Sequence, residues 1–348
     1  MTQVTSRLGI VPTFGTYAYP PYLLARLVAT LDQVSSGRIG WNAVTGSSDF
    51  AAMNFGMNGM PEHDLRYDMA DEYMEVVRRL WASWEPGAIV ADRDSGTLVD
   101  HTKVHAVNFE GRFFKTRGPL NSGPCPQGQP VIAQAGGSPR GRRFAAAHAD
   151  TIVVNAKGID AMRTYRDDVR RLMVAAGRRG DDCKILYLVN PILGETAREA
   201  VERRAIRLAR AAEQVPQRLA HLGKVTNIDF GRFDLDRPLP DDVTTNGHQQ
   251  TLDQFRKKAS GRAIRETMAD YNATELSVEL VGTPDAVAAQ MGEVMEAVGG
   301  DGFLLSMPNV SRRILAEIED GLVPALQARG LARESYAHAH FRDNLLDF

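Results

Sequence analysis

Short apolar runs alternate along the chain with longer stretches whose apolar residues recur at helical spacing, the pattern of βα units around a parallel sheet. Residues 7–13 (RLGIVPT) read as a short buried strand. A helix follows over 21–34, with Pro21 near its first turn and Leu24, Leu27, Val28 and Leu31 on one stripe. The next strand is 38–44 (RIGWNAV), and a loop rich in Gly, Asn and Met runs on to about Pro61. The clearest helix spans 67–84, where Ala70, Tyr73, Val76, Val77, Leu80, Trp81 and Trp84 share one face and charges take the other. Residues 105–117 form a hairpin turning at Glu110-Gly111, an excursion and not a barrel strand.

Further strand–helix pairs follow at 130–134 with 140–148 and at 151–154 with 161–176. A strand at 184–193 leads into a long charged helix from Thr196. Residues 214–277 are polar and read as irregular, an insertion or lid. Helix 284–298, strand 302–306 and a last long helix at 312–329 complete the chain. The expectation is one α/β domain over 1–348, with excursions at about 45–66 and 85–129 and the insertion at about 214–277. Six βα-type strands suit either a parallel barrel, which needs eight, or an open doubly wound sheet; periodicity does not decide between them.

Composition narrows the partners. The formal net charge is −2, and acids and bases are mixed along the chain with no polybasic stretch. That argues against nucleic acid and against an anionic membrane surface. The two cysteines, Cys125 and Cys183, are far apart and form no CxxC pair, which disfavours a disulfide framework or a zinc site and suits a reducing compartment. No apolar run approaches the length of a membrane span, and MTQVTSRLGIVPT lacks the layout of a signal peptide. The expected setting is the cytoplasm.

The most informative local feature is Gln134-Ala-Gly-Gly-Ser-Pro-Arg-Gly141, which follows a strand and opens a helix. Ser138 suits the N-cap and Pro139 the first helical position. Gly136 and Gly137 allow close backbone approach, so N–H groups and the positive helix end converge on one point, an anion site most naturally for phosphate. Read locally, the same residues could simply start a helix. His63 and Tyr67, four apart at the start of the long helix, share a face; each can bond a polar ligand, and His63 can move a proton near neutral pH. They could equally cap and pack that helix. Asn42 and Thr13 sit at strand ends, where parallel sheets place ligand groups. Trp41, Phe14, Tyr17 and Tyr19 suit an aromatic pocket or the core. The remaining histidines show no metal-ligand spacing.

YPPYLLARLVATLDQVSSGRIGWNAVTG, NFG, EHDLRYDMADEYMEVVRRLWASWE, KVHAVNFEGRFFKTRGPLN and PQGQPVIAQAGGSPRGRRFAA, in that order, resemble the bacterial luciferase-like flavin monooxygenases. The similarity is to the nitrilotriacetate and dibenzothiophene-sulfone monooxygenase family, nearest its sulfone branch, and runs to VGTPDAVAAQM, DGFLLS and VPALQARG. The resemblance implies a TIM-type (βα)8 barrel with FMN at the C-terminal face, and about six of the eight units in this chain, because two family units precede the strand beginning at Arg7. Matched by motif, Thr13, His63, Tyr67, Gly137 and Ser138 are the implied FMN contacts, with Asn42 toward the flavin or substrate. The implied chemistry uses reduced FMN from a separate NAD(P)H-dependent flavin reductase. O2 adds to form a peroxyflavin, which oxygenates a small organic sulfur or nitrogen compound; His63 serves proton transfer, and no metal is required. A homodimer or homotetramer is implied as well. The alternatives are a deazaflavin-dependent oxidoreductase on the same barrel and a non-catalytic flavin-binding subunit.

Overall fold

A computed structural model describes residues 1–274, 276–307 and 310–347. Six strands, β1 (Thr13–Gly15), β2 (Gly40–Val44), β3 (Val131–Gln134), β4 (Thr151–Val154), β5 (Lys184–Val189) and β6 (Phe303–Leu305), pair in parallel in that spatial order. β1 and β6 stand at the two edges. The intervening helices are α1 (Pro21–Ser35), α2 (His63–Trp81), α3 (Pro139–His148) and α4 (Ile159–Ala175), then α5 (Ala197–Glu213), α6 (Val215–Thr226), α7 (Gln249–Ala259), α8 (Ile264–Asp270) and α9 (Pro284–Val298). Strand order that follows chain order, with right-handed crossovers, puts the helices on one side of the sheet. A doubly wound sheet reverses its order midway; this one does not, and its wall is of the barrel kind.

Packing follows from the side-chain alternation of β2. Trp41 and Ala43 point to the helices, where Trp41 lies 5.9 Å from the Tyr73 ring of α2 and donates Nε1–H to the Phe14 carbonyl at 3.0 Å. All four residues of β3 are buried, as a strand covered on both faces requires. A second cluster joins α3 and α4 to β4 and β5 through Ala145, Met162, Tyr165, Ile152, Ile185 and Tyr187. Among the described residues no helix is long and apolar enough to cross a membrane.

Four features differ from the sequence expectation. The strand expected over 184–193 divides, with β5 ending at Val189 and Ile192–Leu193 pairing with Val281–Gly282 in a separate two-stranded sheet. The first strand is Thr13–Gly15, with only an isolated bridge from Ile10 to Ile39 before it, because Pro12 between them has no N–H to give. α2 begins four residues earlier than the apolar stripe suggests, since Glu62 accepts the Asp64 and Leu65 amides at 3.1 Å each and caps it at His63. The largest difference is in 214–277. That segment is not irregular: α6, α7 and α8 pack around their own apolar cluster, which includes Leu219, Leu222, Phe230, Leu252, Phe255 and Ile264. Its apolar residues are sparse and meet only in three dimensions.

Candidate active site

Parallel strands end on the same edge, and the chain leaves β2 through Thr45-Gly46 and β3 through Ala135–Ser138 on that edge. A cavity of about 320 Å³ opens there between these two loops, the start of α2 and the start of α7. That volume lies in the lower range of small-molecule pockets, which run to about 300–1,000 Å³.

The β3–α3 loop is held from several sides. The Gly136 N–H donates to Oε1 of Gln134, and its carbonyl accepts from the Tyr165 hydroxyl at 2.8 Å. Ser138 takes the N-cap, its Oγ accepting the Gly141 N–H at 3.0 Å, with Pro139 behind it. Neither the Gly137 nor the Ser138 amide has a hydrogen-bond acceptor among the described residues. Both glycines matter for space rather than for backbone angle. A β-carbon on Gly136 would stand 2.6 Å from the Gln134 amide, and one on Gly137 only 1.2 Å from Oε1 of Gln250.

Across the cavity, Tyr67 is 6% exposed, and its hydroxyl lies among the side chains of Thr45, Ser138 and Gln134. Burial, more than those bonds or the Arg66 charge can offset, raises its pKa above the ordinary tyrosine value, so it is a neutral donor at neutral pH. Its ring meets His63 edge-on at 5.2 Å and lies under the Arg140 guanidinium at 5.4 Å. His63 is buried, with Nδ1 2.7 Å from Oδ1 of Asp64. That carboxylate fixes Nδ1 as the protonated nitrogen and leaves Nε2 for exchange.

Two charged or titratable groups were not legible in the sequence as site residues. Arg66 is 4% exposed; Nη1 donates to the Pro61 carbonyl and Nη2 to the Asn246 carbonyl, each at 2.8 Å, while Nε has no partner. His248, the residue before α7, is buried enough that its pKa falls below the ordinary value, and the charges of Arg66 and His63 push it the same way. Gln250 was missed too. No local pattern marks these three: Arg66 is a charged residue buried in the first turn of α2, and His248 and Gln250 reach the cavity by tertiary packing of a segment that reads as polar.

His63, Tyr67, Gly137 and Ser138 are thus brought together on one cavity. Thr13 and Asn42 are not among its walls. They face each other across β1 and β2, Asn42 Nδ2 donating to Thr13 Oγ1 at 3.0 Å, on the sheet face turned away from the helices. Of the aromatic candidates, Tyr17 lines the cavity, whereas Trp41, Phe14 and Tyr19 belong to the core between sheet and helices.

The residues present fit a phosphate-bearing ligand. Free backbone amides, a helix N-terminus, a buried guanidinium with an unpartnered N–H and a cradle that a β-carbon would fill all favour an anion and leave it room.

The family described as luciferase-like monooxygenase matches residues 1–302. The dibenzothiophene-sulfone monooxygenase of Rhodococcus erythropolis is 37% identical over 351 residues, covering 99% of this chain and 77% of that one. Component A of the nitrilotriacetate monooxygenase of Aminobacter aminovorans is 33% identical, over 99% and 76% of the two chains. Among solved structures, riboflavin lyase with modified FMN and riboflavin superposes with a TM-score of 0.90 at 34% identity, over 100% of this chain and 76% of that one. With matches of that extent on top of the sheet order and the phosphate-suited loop, the chain belongs to the luciferase-like monooxygenases, flavin-dependent oxidoreductases on a TIM-type barrel.

Proposed function

We propose that this chain is the oxygenating component of a two-component system, which takes reduced FMN from a separate NAD(P)H-dependent flavin reductase and oxygenates a small organic sulfur or nitrogen compound with O2. The observation that carries the reading is the convergence of Tyr67, Ser138 and the buried Arg66 on the two-glycine loop at the start of α3. Relatives named for a sulfone and for nitrilotriacetate support the substrate class, and the name component A supports a division of labour.

Reduced FMN, when bound, supplies the electrons that activate O2. The protein's own part is positional and protonic. The Gly137 and Ser138 amides would hold the phosphate, and Ser138 Oγ, already accepting from Gly141, keeps its own proton to donate. Tyr67, neutral and buried, offers a second hydroxyl donor. His63, tethered through Nδ1 to Asp64, would take or give a proton at Nε2. Thr13 and Asn42 are assigned to the ring end of the cofactor, from their place on the open face of the sheet. The folded α6–α8 segment supplies one wall of the cavity, through Gly247 to Thr251.

Anaerobic titration with reduced FMN, followed by O2 uptake in the presence of a flavin reductase and a dialkyl sulfide or aryl sulfone, tests the reading. Saturable binding of reduced FMN and substrate-dependent O2 consumption are expected. A well-folded protein that binds no reduced FMN overturns it.

A further inference from the structure

A second cavity, of about 690 Å³, opens where the chain leaves β5 and β6, on the same edge of the sheet as the first. Helical spacing explains its charge. Arg203, Arg207 and Arg210 stand four and then three residues apart on α5, so one face of that helix presents three guanidinium groups to the cavity, and Arg218 of α6 adds a fourth. Arg313, from the helical turn Arg312–Ala316, is a fifth.

These arginines divide into two sets. Arg203 and Arg313 are neutralised by Glu199 and Glu317, with contacts of 2.8 Å from each to Glu317. Arg207, Arg210 and Arg218 contact no carboxylate among the described residues; the bond found for Arg207 is to the Asn190 carbonyl at 3.3 Å. Asp270, the acid whose charge reaches Arg218, is itself met by Lys258 at 3.5 Å. Burial pulls the pKa of both Arg207 and Arg218 below the ordinary arginine value. A charge held partly out of water without a counter-charge is costly, and an anion in the pocket offsets that cost. Ile192, Leu193, Ile206, Ile314 and Ile318 give the wall an apolar part, beside the neutral polar side chains of Asn190, Gln214, Asn272, Ser306 and Ser311. A cavity of this size and lining is more than an inorganic ion needs and suits an organic body carrying an anionic head.

We propose that this cavity binds a small organic anion, a carboxylate or a sulfur oxyacid with an apolar body, whose head is held by the guanidinium groups of Arg207, Arg210 and Arg218. Planar guanidinium forks match the paired oxygens of such heads, which an ammonium or an amide does not. The site stands on its own residues and does not depend on flavin binding at the first cavity.

Isothermal titration calorimetry on the whole protein tests it, with benzoate and benzenesulfinate as probes, benzyl alcohol as the neutral analogue and inorganic sulfate as the bare anion. Benzoate or benzenesulfinate is expected to bind saturably, more weakly at high salt, and to lose about ten-fold or more in affinity in Arg207→Gln/Arg218→Gln. Arg207→Lys, which keeps the charge but not the fork, should fall between, and Arg198→Gln, on the exposed side of α5, should match the wild type. Reduced FMN titrated into the double variant should bind as in the wild type, which separates this site from the first. Absence of saturable binding of both organic anions overturns the proposal. So does equal binding of benzyl alcohol or of sulfate, or a folded double variant with undiminished affinity.

Discussion

The side-chain amide of Gln250 lies directly over the α-carbon of Gly137, so close that a β-carbon on Gly137 would stand 1.2 Å from its Oε1. One residue opens α7 and the other precedes the N-cap of α3, so their contact closes the α6–α8 segment onto the proposed phosphate loop. Gly137 does not adopt a positive φ, and the backbone itself would tolerate alanine. Gly137→Ala should therefore displace the flexible end of Gln250 at a small cost in stability, about 1 kcal/mol or less, and fill the cradle at a larger cost in FMN affinity. Gly137→Ala/Gln250→Ala should recover the melting temperature without recovering FMN affinity. Recovery of both would show that the cradle is not where the phosphate sits.

Ser138 has two roles that separate on substitution. As the N-cap of α3 it is worth about 1 kcal/mol of stability, and as a phosphate donor about 1.5–3 kcal/mol of affinity. Ser138→Ala should show both losses, and Ser138→Thr neither in full. Unfolding curves and anaerobic FMN titrations measure them independently. An unchanged dissociation constant for a folded Ser138→Ala removes the residue from the site.

For His63 and Tyr67 the expected loss is in turnover rather than in fold. A positioned proton-transfer group contributes about 10²–10⁴-fold in rate, so His63→Ala should fall by that order in steady-state O2-dependent turnover. Tyr67→Phe keeps the ring contacts with His63 and Phe144 and removes only the hydroxyl, a loss of about 0.5–1.5 kcal/mol in ligand binding. Should either variant instead unfold, and regain activity when stabilised by additives, its role is structural.

The pH dependence of stability should carry a signature of His248. Its folded pKa lies below the ordinary 6.5, first by burial and then by the charges of Arg66 and His63. The unfolded chain then binds a proton that the folded chain refuses, so the stability His248 contributes is present above pH 6.5 and is lost as pH falls through the folded value. His248→Gln, which cannot titrate, should flatten the acid side of a plot of melting temperature against pH. A variant whose acid limb is as steep as the wild type's would count against this origin.

How much of this was legible in the sequence depended on how local the physics was. Ser138-Pro139 after an apolar strand announces a helix start within five residues, and the loop is where that pattern puts it. The stripe of α2 was equally plain, although its first turn was hidden because His63, Arg66 and Tyr67 are polar or amphipathic yet buried. Thr13 and Asn42 were each visible at a strand end, but their mutual hydrogen bond depends on register, which no single strand encodes. The α6–α8 segment was misread because Leu219, Phe230, Leu252 and Phe255 are separated by charged and turn residues and share no one periodic stripe. With that segment went His248 and Gln250.

That satellite cluster has a consequence for how such a protein changes over generations. Its apolar side chains are satisfied among themselves, and it meets the rest of the site through single polar contacts, such as Arg66 to the Asn246 carbonyl and Gln254 to the Asn155 carbonyl at 2.7 Å. Residues on its cavity-facing turns can be exchanged without repacking the sheet. The β3–α3 wall has less freedom, because Gln134, Tyr165 and the Ser138 N-cap hold its backbone. A lineage built this way can alter which compound it oxidises while inheriting unchanged the means by which it does so.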